Sequence, residues 1–258
     1  MKTCIAYKGI ALSILAAGAA GSALAFDVTP GTLIGLAVGG TPELVEYDFA
    51  GNITETLTLG GLPNTGTGVA VIGSRVFVSD VGGNVGEVDL NTGNVFGIFA
   101  SASNEGLGDN ATDLLAIDYG SGTASRYTTG GGLLGAHGTI DGITGVDATA
   151  STIYVARYDD GSVYAYDYAG NQTGSFVTGW GAFSLSGLGY DSTSGLVWVA
   201  TGFGSDHISA YDSGGNLVAD WRNNRDWING LDVVGVPEPA TIVALGIGIL
   251  AFARRRFR

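Results

Sequence analysis

Residues 162–178 read SVYAYDYAGNQTGSFVT. Val163, Ala165 and Asp167 alternate with Tyr164, Tyr166 and Tyr168, the two-residue period of a β-strand. Gly170-Asn171 supplies a tight turn, because glycine accepts the positive φ that such turns need. A second short strand runs to Thr178. The stretch is a β-hairpin, and one hairpin alone is marginal in water. The chain answers by repetition. Close copies are ELVEYDFAGNITETLTL from Glu43, NVGEVDLNTGNVFGIFA from Asn84 and HISAYDSGGNLVADWRN from His207, with a degenerate copy, TASRYTTGGGLLGAHGT, from Thr123. The turn-entry residues Asp48, Asp89, Thr128, Asp167 and Asp212 are separated by 41, 39, 39 and 45 residues. A period of about 40 residues marks a repeat architecture such as the four-stranded blades of a propeller. An aspartate at turn entry caps backbone N–H groups two residues on. Dispersed as they are, these aspartates form a structural series and not one catalytic set.

A second pair of strands precedes most hairpins. A glycine-hydrophobic start recurs at Gly68-Val69-Ala70-Val71, Gly106-Leu107-Gly108, Gly145-Val146-Asp147-Ala148, Gly187-Leu188-Gly189-Tyr190 and Gly230-Leu231-Asp232-Val233. Compact apolar strands follow at 75–79, 114–118, 152–156 and 196–200. Each unit thus has four strands, here a, b, c and d. The last a-type strand, residues 228–235, has no b, c or d after it, and the first unit, from Leu33, has no a. Pairing the two ends closes a ring and removes the exposed sheet edges that invite aggregation. The fold expected for 26–235 is all-β, a five-bladed β-propeller closed by its C-terminal strand, with an open β-sandwich as the alternative. The a/b/c/d pattern resembles the NHL-repeat and gluconolactonase-like propellers over residues 32–235. For gluconolactonase-like propellers, that resemblance implies a metal in the central channel on Glu, Asn and Asp ligands.

The 45 glycines among 258 residues follow no three-residue period, which excludes collagen and suits a turn-dense β fold. Residues 1–25 read as a secretory signal peptide: Lys2 and Lys8, a short apolar run, then Ala23-Leu24-Ala25 as the cleavage site, leaving Phe26 as the mature start. The Sec translocon and signal peptidase are the partners this implies. The one cysteine, Cys4, lies in this segment, so the mature chain has no disulfide and no thiolate metal site.

At the other end stand Val236-Pro237-Glu238-Pro239-Ala240, an apolar run from Thr241 to Ala253, and Arg254-Arg255-Arg256-Phe257-Arg258. The prolines keep the junction extended, the apolar run enters the bilayer, and the arginines stay cytoplasmic. The run reaches only ~20 Å against a hydrocarbon core of ~30 Å, which suits transient membrane insertion. Residues 236–258 resemble the PEP-CTERM sorting signal. The resemblance implies cleavage by a membrane-embedded exosortase in a Gram-negative bacterium that makes exopolysaccharide. It implies export, with a final place in the cell envelope or the extracellular biofilm matrix.

Between Phe26 and Val236 the chain has five arginines, no lysine and 23 acidic residues, a net charge of −18. Such a surface repels nucleic acid and anionic lipid, keeps the protein soluble, and attracts cations. His137 and His207 occupy different places in their units, read as solvated turn residues, and make no metal spacing. No G-x-S-x-G elbow with partners is present, and the glycine runs at 82–83 and 130–132 open hairpins, not the helices of phosphate loops. No cofactor is required by any motif; Ca²⁺ is the ion the acidic loops could take. Asp159 and Asp160 are candidates between strands b and c, Asp147 and Asp232 in the a-strands, and Asp109, Asn110 and Asp113 form a further acidic group.

The d-to-a loops carry the binding-type residues. Trp180 lies in one, and Arg222, Asn224, Arg225 and Trp227 in another. If their rings share one face they form a sugar platform; if they seal blade seams they are core. Trp198 and Trp221, within strands, read as core. Three function classes are compatible: a non-enzymatic surface propeller binding exopolysaccharide or a protein partner, a lactonase- or lyase-like enzyme with a channel metal, and a structural envelope component.

Overall fold

The computed structural model describes residues 25–101, 105–202, 205–225 and 227–235. The residues before Ala25, expected to be a signal peptide, and the tail with Pro237, Glu238, Pro239 and Arg254–Arg256 lie outside the described residues.

The strands group into five four-stranded antiparallel sheets. The first sheet contains β1 (Leu33–Ala37), β2 (Glu43–Tyr47) and β3 (Ile53–Thr58). The second is β4 (Gly66–Ile72), β5 (Arg75–Asp80), β6 (Asn84–Val88) and β7 (Val95–Ala100). The third is β8 (Gly106–Asp109), β9 (Leu114–Asp118), β10 (Thr123–Tyr127) and β11 (Leu133–Gly138). The fourth is β12 (Ile143–Ala148), β13 (Thr152–Arg157), β14 (Ser162–Asp167) and β15 (Gln172–Val177). The fifth is β16 (Leu185–Asp191), β17 (Leu196–Thr201), β18 (His207–Tyr211) and β19 (Leu217–Arg222). β20 (Ile228–Val233) lies beside β1, pairing Leu33 with Val233 and Ala37 with Ile228. The result is a five-bladed β-propeller with β20, β4, β8, β12 and β16 around its axis.

Each turn forms as its sequence dictates. Asp48 Oδ1 accepts from the N–H groups of Ala50 and Asn52, both at 2.9 Å, and Asp167 and Asp212 repeat the pattern. Thr128 Oγ1 accepts from Gly132 N–H at 3.0 Å in the degenerate copy. The Asn52, Asn171 and Asn216 side-chain amides first of all hold their aspartates' carboxyls below the usual range. Aromatic residues of outer strands then cover the next blade's turn. A Cβ on Gly51 would lie 2.6 Å from the Trp221 ring, and one on Gly131 2.5 Å from Phe99. Trp198 is buried at 3 % exposure, and Trp221 packs half-buried across the seam between the fifth and first blades.

The five inner-strand glycines explain the narrow axis. A Cβ on Gly145 would stand 2.7 Å from Gly187's carbonyl carbon, and one on Gly187 2.9 Å from Leu231 N. Gly68, Gly106 and Gly230 meet neighbouring inner-strand backbone in the same way. The backbones approach until only glycine fits, which forms a waist. Val69, Leu107, Val146, Leu188 and Leu231 are buried in the cores between blades. Phe26 is anchored too: it is 3 % exposed, packs in the core between the first two blades, and donates its backbone N–H to Leu90 O at 2.9 Å.

The two histidines are not solvated turn residues. His137 sits on β11 with Nδ1 2.8 Å from Tyr168 O and its ring edge-on to Tyr168. His207 sits on β18 with Nδ1 2.9 Å from Asp220. The expectation failed because turn-like neighbours in sequence were read without the strand that pairs across from them.

Candidate functional site at the channel mouth

The inner strands all start at the same end of the axis, here called the mouth. Four of them carry a β-bulge there. Gly66 pairs with Asp80 and Gly68 with Ser79, which leaves Thr67 unpaired. Thr144, Ser186 and Asn229 are skipped in the same way opposite β13, β17 and β1. An extra residue in one strand breaks the alternation and re-aims a side chain. Each bulged residue precedes one of the waist glycines, and Glu105 holds the same place before Gly106. Thr67, Glu105, Thr144, Ser186 and Asn229 therefore form a polar ring, one from each blade.

Three of these residues also staple blades together. Thr144 Oγ1 donates to Leu185 O at 2.8 Å, Ser186 Oγ to Ile228 O at 2.5 Å, and Asn229 Nδ2 to Gly66 O at 3.0 Å. Glu105 differs: its backbone N–H joins Ile117 O at 3.2 Å, and among the described residues no ion pair engages its carboxylate. Burial pushes that carboxyl up, and the nearby Asp118 charge adds to the effect.

A second ring comes from the residues that follow the b strands. Val81, Tyr119 and Tyr158 stand at equivalent places after β5, β9 and β13. In the fifth blade that place is Gly202, and the Trp227 indole fills the space, 2.8 Å from where a Cβ would be. Trp227 holds φ at 55°, a left-handed conformation that costs a bulky residue ~1–3 kcal/mol. Tyr119 donates its hydroxyl to Asp159 Oδ1 at 2.8 Å, and this bond raises the phenol's pKa. Tyr119 and Tyr158 meet edge-on at 6.4 Å, and Tyr158 meets Phe183 at 5.3 Å. The two rings enclose a cavity of about 360 Å³ with Thr65 and Leu185 completing its wall. Its size and its mix of aromatic walls with a few polar groups are those of a small-ligand site.

The sequence candidates divide. Trp227 lines this cavity; Trp180 does not. Trp180 is half-buried in the seam between the fourth and fifth blades, donates Nε1–H to Ser209 Oγ at 3.1 Å and lies 4.6 Å from the His207 ring. Arg222 ends the outermost strand β19, Asn224 is exposed at φ 53°, and Arg225 approaches Glu43 at 3.8 Å; none of the three lines the cavity. The expected platform of two indoles flanked by guanidinium groups is not assembled, because Trp180 packs into the seam between the fourth and fifth blades whereas Trp227 fills the space left by Gly202.

The four aspartates proposed as cation ligands also divide. Asp159 and Asp160 follow β13 at the mouth, where Arg157 lies 3.8 Å from Asp159 and 2.9 Å from Asp160. Asp147 and Asp232 lie at the far ends of β12 and β20, the former four residues or ~13 Å along from Ile143. There Asp109 joins them, and the three carboxyls offer oxygens within 4.8 Å of one another, all buried. Those oxygens face N–H donors. Tyr190 and Ala148 donate to Asp147 at 2.5 and 2.8 Å, and Asp109 N–H donates to it at 3.2 Å. Val71 donates to Asp232 at 2.5 Å and to Asp109 at 3.1 Å; Val233 and Ala111 add one bond each. Burial holds all three carboxyls up, those of Asp147 and Asp232 well above the usual range. Ca²⁺ needs six to eight oxygens turned toward it. A trio encased by amide protons and favouring protonation does not fit that ion, nor the channel metal implied by the gluconolactonase-like resemblance. Its evident work is to satisfy amides where the inner strands end.

Residues 235–256 match the PEP-CTERM protein-sorting motif. That match implies export, recognition by an exosortase, and transient anchoring in the membrane before processing. No curated protein sequence matches the chain. Among solved structures, the glutaminyl cyclase of Myxococcus xanthus is similar at 18 % identity and TM-score 0.51, over 64 % of this chain and 79 % of that one. A chain of a nidogen/laminin complex is similar at 12 % identity and TM-score 0.53, over 79 % and 98 %. A Bacteroides caccae protein of unknown function is similar at 11 % identity and TM-score 0.50, over 76 % and 74 %. At these identities the likeness concerns the fold alone.

Proposed function

We propose that this exported, surface-sorted propeller is a non-enzymatic binding protein that takes a saccharide unit of the extracellular matrix into the channel mouth. The observation that carries this is the double ring: Trp227, Tyr119 and Tyr158 above Thr67, Glu105, Thr144, Ser186 and Asn229, around one open cavity. Indole and phenol faces stack on the apolar face of a pyranose, and the hydroxyls, amide and carboxylate bond its rim. The sorting motif supports the setting, since it delivers the domain to the outside of the cell, where such polymers lie. A Gram-negative host and a biofilm matrix as the final address belong to the same proposal, as does removal of both chain ends.

The test is a glycan screen of the purified protein and its Trp227→Ala variant, with and without Ca²⁺. Binding by the parent, lost in the variant at an unchanged melting temperature, is the expected result. A parent that binds no glycan overturns the proposal, and strict dependence on Ca²⁺ would restore a metal to the site.

A further inference from the structure

Among the described residues, Glu105 is the one charged side chain lining the mouth cavity. The three other polar-ring residues with inter-blade bonds spend their donors on carbonyls of the next blade, whereas the Glu105 carboxylate staples nothing among the described residues. It is half-buried at the floor of a cavity whose lining includes three aromatic rings. The nearby guanidinium group, Arg157, is held outside by Asp141 at 3.1 Å and Asp160 at 2.9 Å and does not line the cavity. A desolvated carboxylate without a cation, set among aromatic side chains, is the chemistry that receives a protonated amine: the carboxylate accepts its N–H bonds and the rings attract its charge. The domain's net charge of −18 draws cations toward it and repels acidic polymers.

From this we infer that the mouth selects an amino sugar, the protonated glucosamine unit of a cationic polysaccharide, over its neutral N-acetylated or acidic counterparts. The inference rests on the saccharide reading above and sharpens it. A sugar is favoured over a basic peptide because the hydroxyl and amide oxygens of the polar ring can accept from sugar hydroxyls around the carboxylate, and a lysine side chain has no hydroxyl to use them.

The experiment is calorimetric titration of the purified protein at mildly acidic pH with four probes: a glucosamine tetramer, the N-acetylglucosamine tetramer, a galacturonate tetramer and an oligolysine peptide. The glucosamine tetramer is expected to bind about tenfold tighter than the N-acetyl form, and the galacturonate tetramer not to bind. Glu105→Gln should lower the affinity for the glucosamine tetramer to that of the N-acetyl tetramer. Added salt should narrow the preference in the parent protein, a readout that needs no variant. Equal or tighter binding of the N-acetyl tetramer overturns the inference and leaves the saccharide reading standing. Oligolysine binding as tightly as the glucosamine tetramer overturns it in favour of a peptide. Failure of all three saccharides overturns both.

Discussion

At the closed end of the channel, Asp109, Asp147 and Asp232 lie within hydrogen-bond reach of backbone amides on every side; at the mouth, Glu105 faces a cavity. By charge density the closed end is the more conspicuous site. By chemistry it is the less available one. Its carboxyls are wholly enclosed, their acceptors are taken, and burial moves them toward the neutral form. Among the described residues, the mouth cavity is lined by one carboxylate and three aromatic rings, and it has room. The difference shows that a cluster of acids is judged by what its oxygens already bond, and that an open, under-bonded single acid can outrank three satisfied ones as a ligand site.

The largest effect that could disturb this contrast is loss of β20, which supplies Asn229 to the mouth and Asp232 to the closed end. Ending the chain at Trp227 should abolish the cooperative thermal transition, since the first blade loses its inner strand. A truncated protein melting as the parent does would contradict closure through the β1–β20 pair. Next in size is Trp180→Ala, expected to cost ~3–5 kcal/mol in chemical denaturation by emptying a seam, while leaving glycan binding intact. At the closed end, Asp147→Ala leaves three amides without their acceptor and should cost about 2–4 kcal/mol. Glu105→Gln should stay within about 0.5 kcal/mol of the parent. If those last two costs were reversed, the roles assigned to the two ends would be exchanged.

A smaller effect is the pH dependence. The closed-end carboxyls have folded pKa values above their unfolded ones, so the folded state holds their protons more tightly. Their contribution is fully present below the unfolded carboxylate range and is lost as pH rises through the folded values. The turn aspartates act oppositely: with lowered folded values, their contribution is lost as pH falls through those values. Denaturation midpoints should therefore rise as pH is lowered from neutral toward the ordinary carboxylate range, then fall below it. Asp147→Asn should flatten the first limb only. A parent protein steadily less stable from neutral downward would show that the trio is ionised in the fold.

Much of the fold was legible because its signals are local. The Asp48, Asp89, Asp167 and Asp212 turns, the waist glycines and the leftover half-units can be found by counting along the chain. The mouth was not legible in that way. Strand alternation sends Thr67 to the same side as Val69, and only a bulge turns it to the axis. A signal did exist: the residue before each waist glycine is polar in all five units, Thr67, Glu105, Thr144, Ser186 and Asn229. Asp109 was grouped with Asn110 and Asp113 and not with Asp147 and Asp232, because it stands one place later in its strand than they do in theirs. Trp180 and Trp227 occupy like loops, and what separates them is Gly202, whose missing side chain leaves room for one indole at the mouth.

The decisive measurement is the affinity of one oligosaccharide that the parent binds, taken side by side for the parent, Trp227→Ala and Trp180→Ala. Binding through the channel mouth requires loss of affinity in Trp227→Ala with stability nearly kept, and retained affinity in Trp180→Ala with stability reduced. Full affinity in Trp227→Ala, or its loss in a folded Trp180→Ala protein, would place the ligand elsewhere on the propeller.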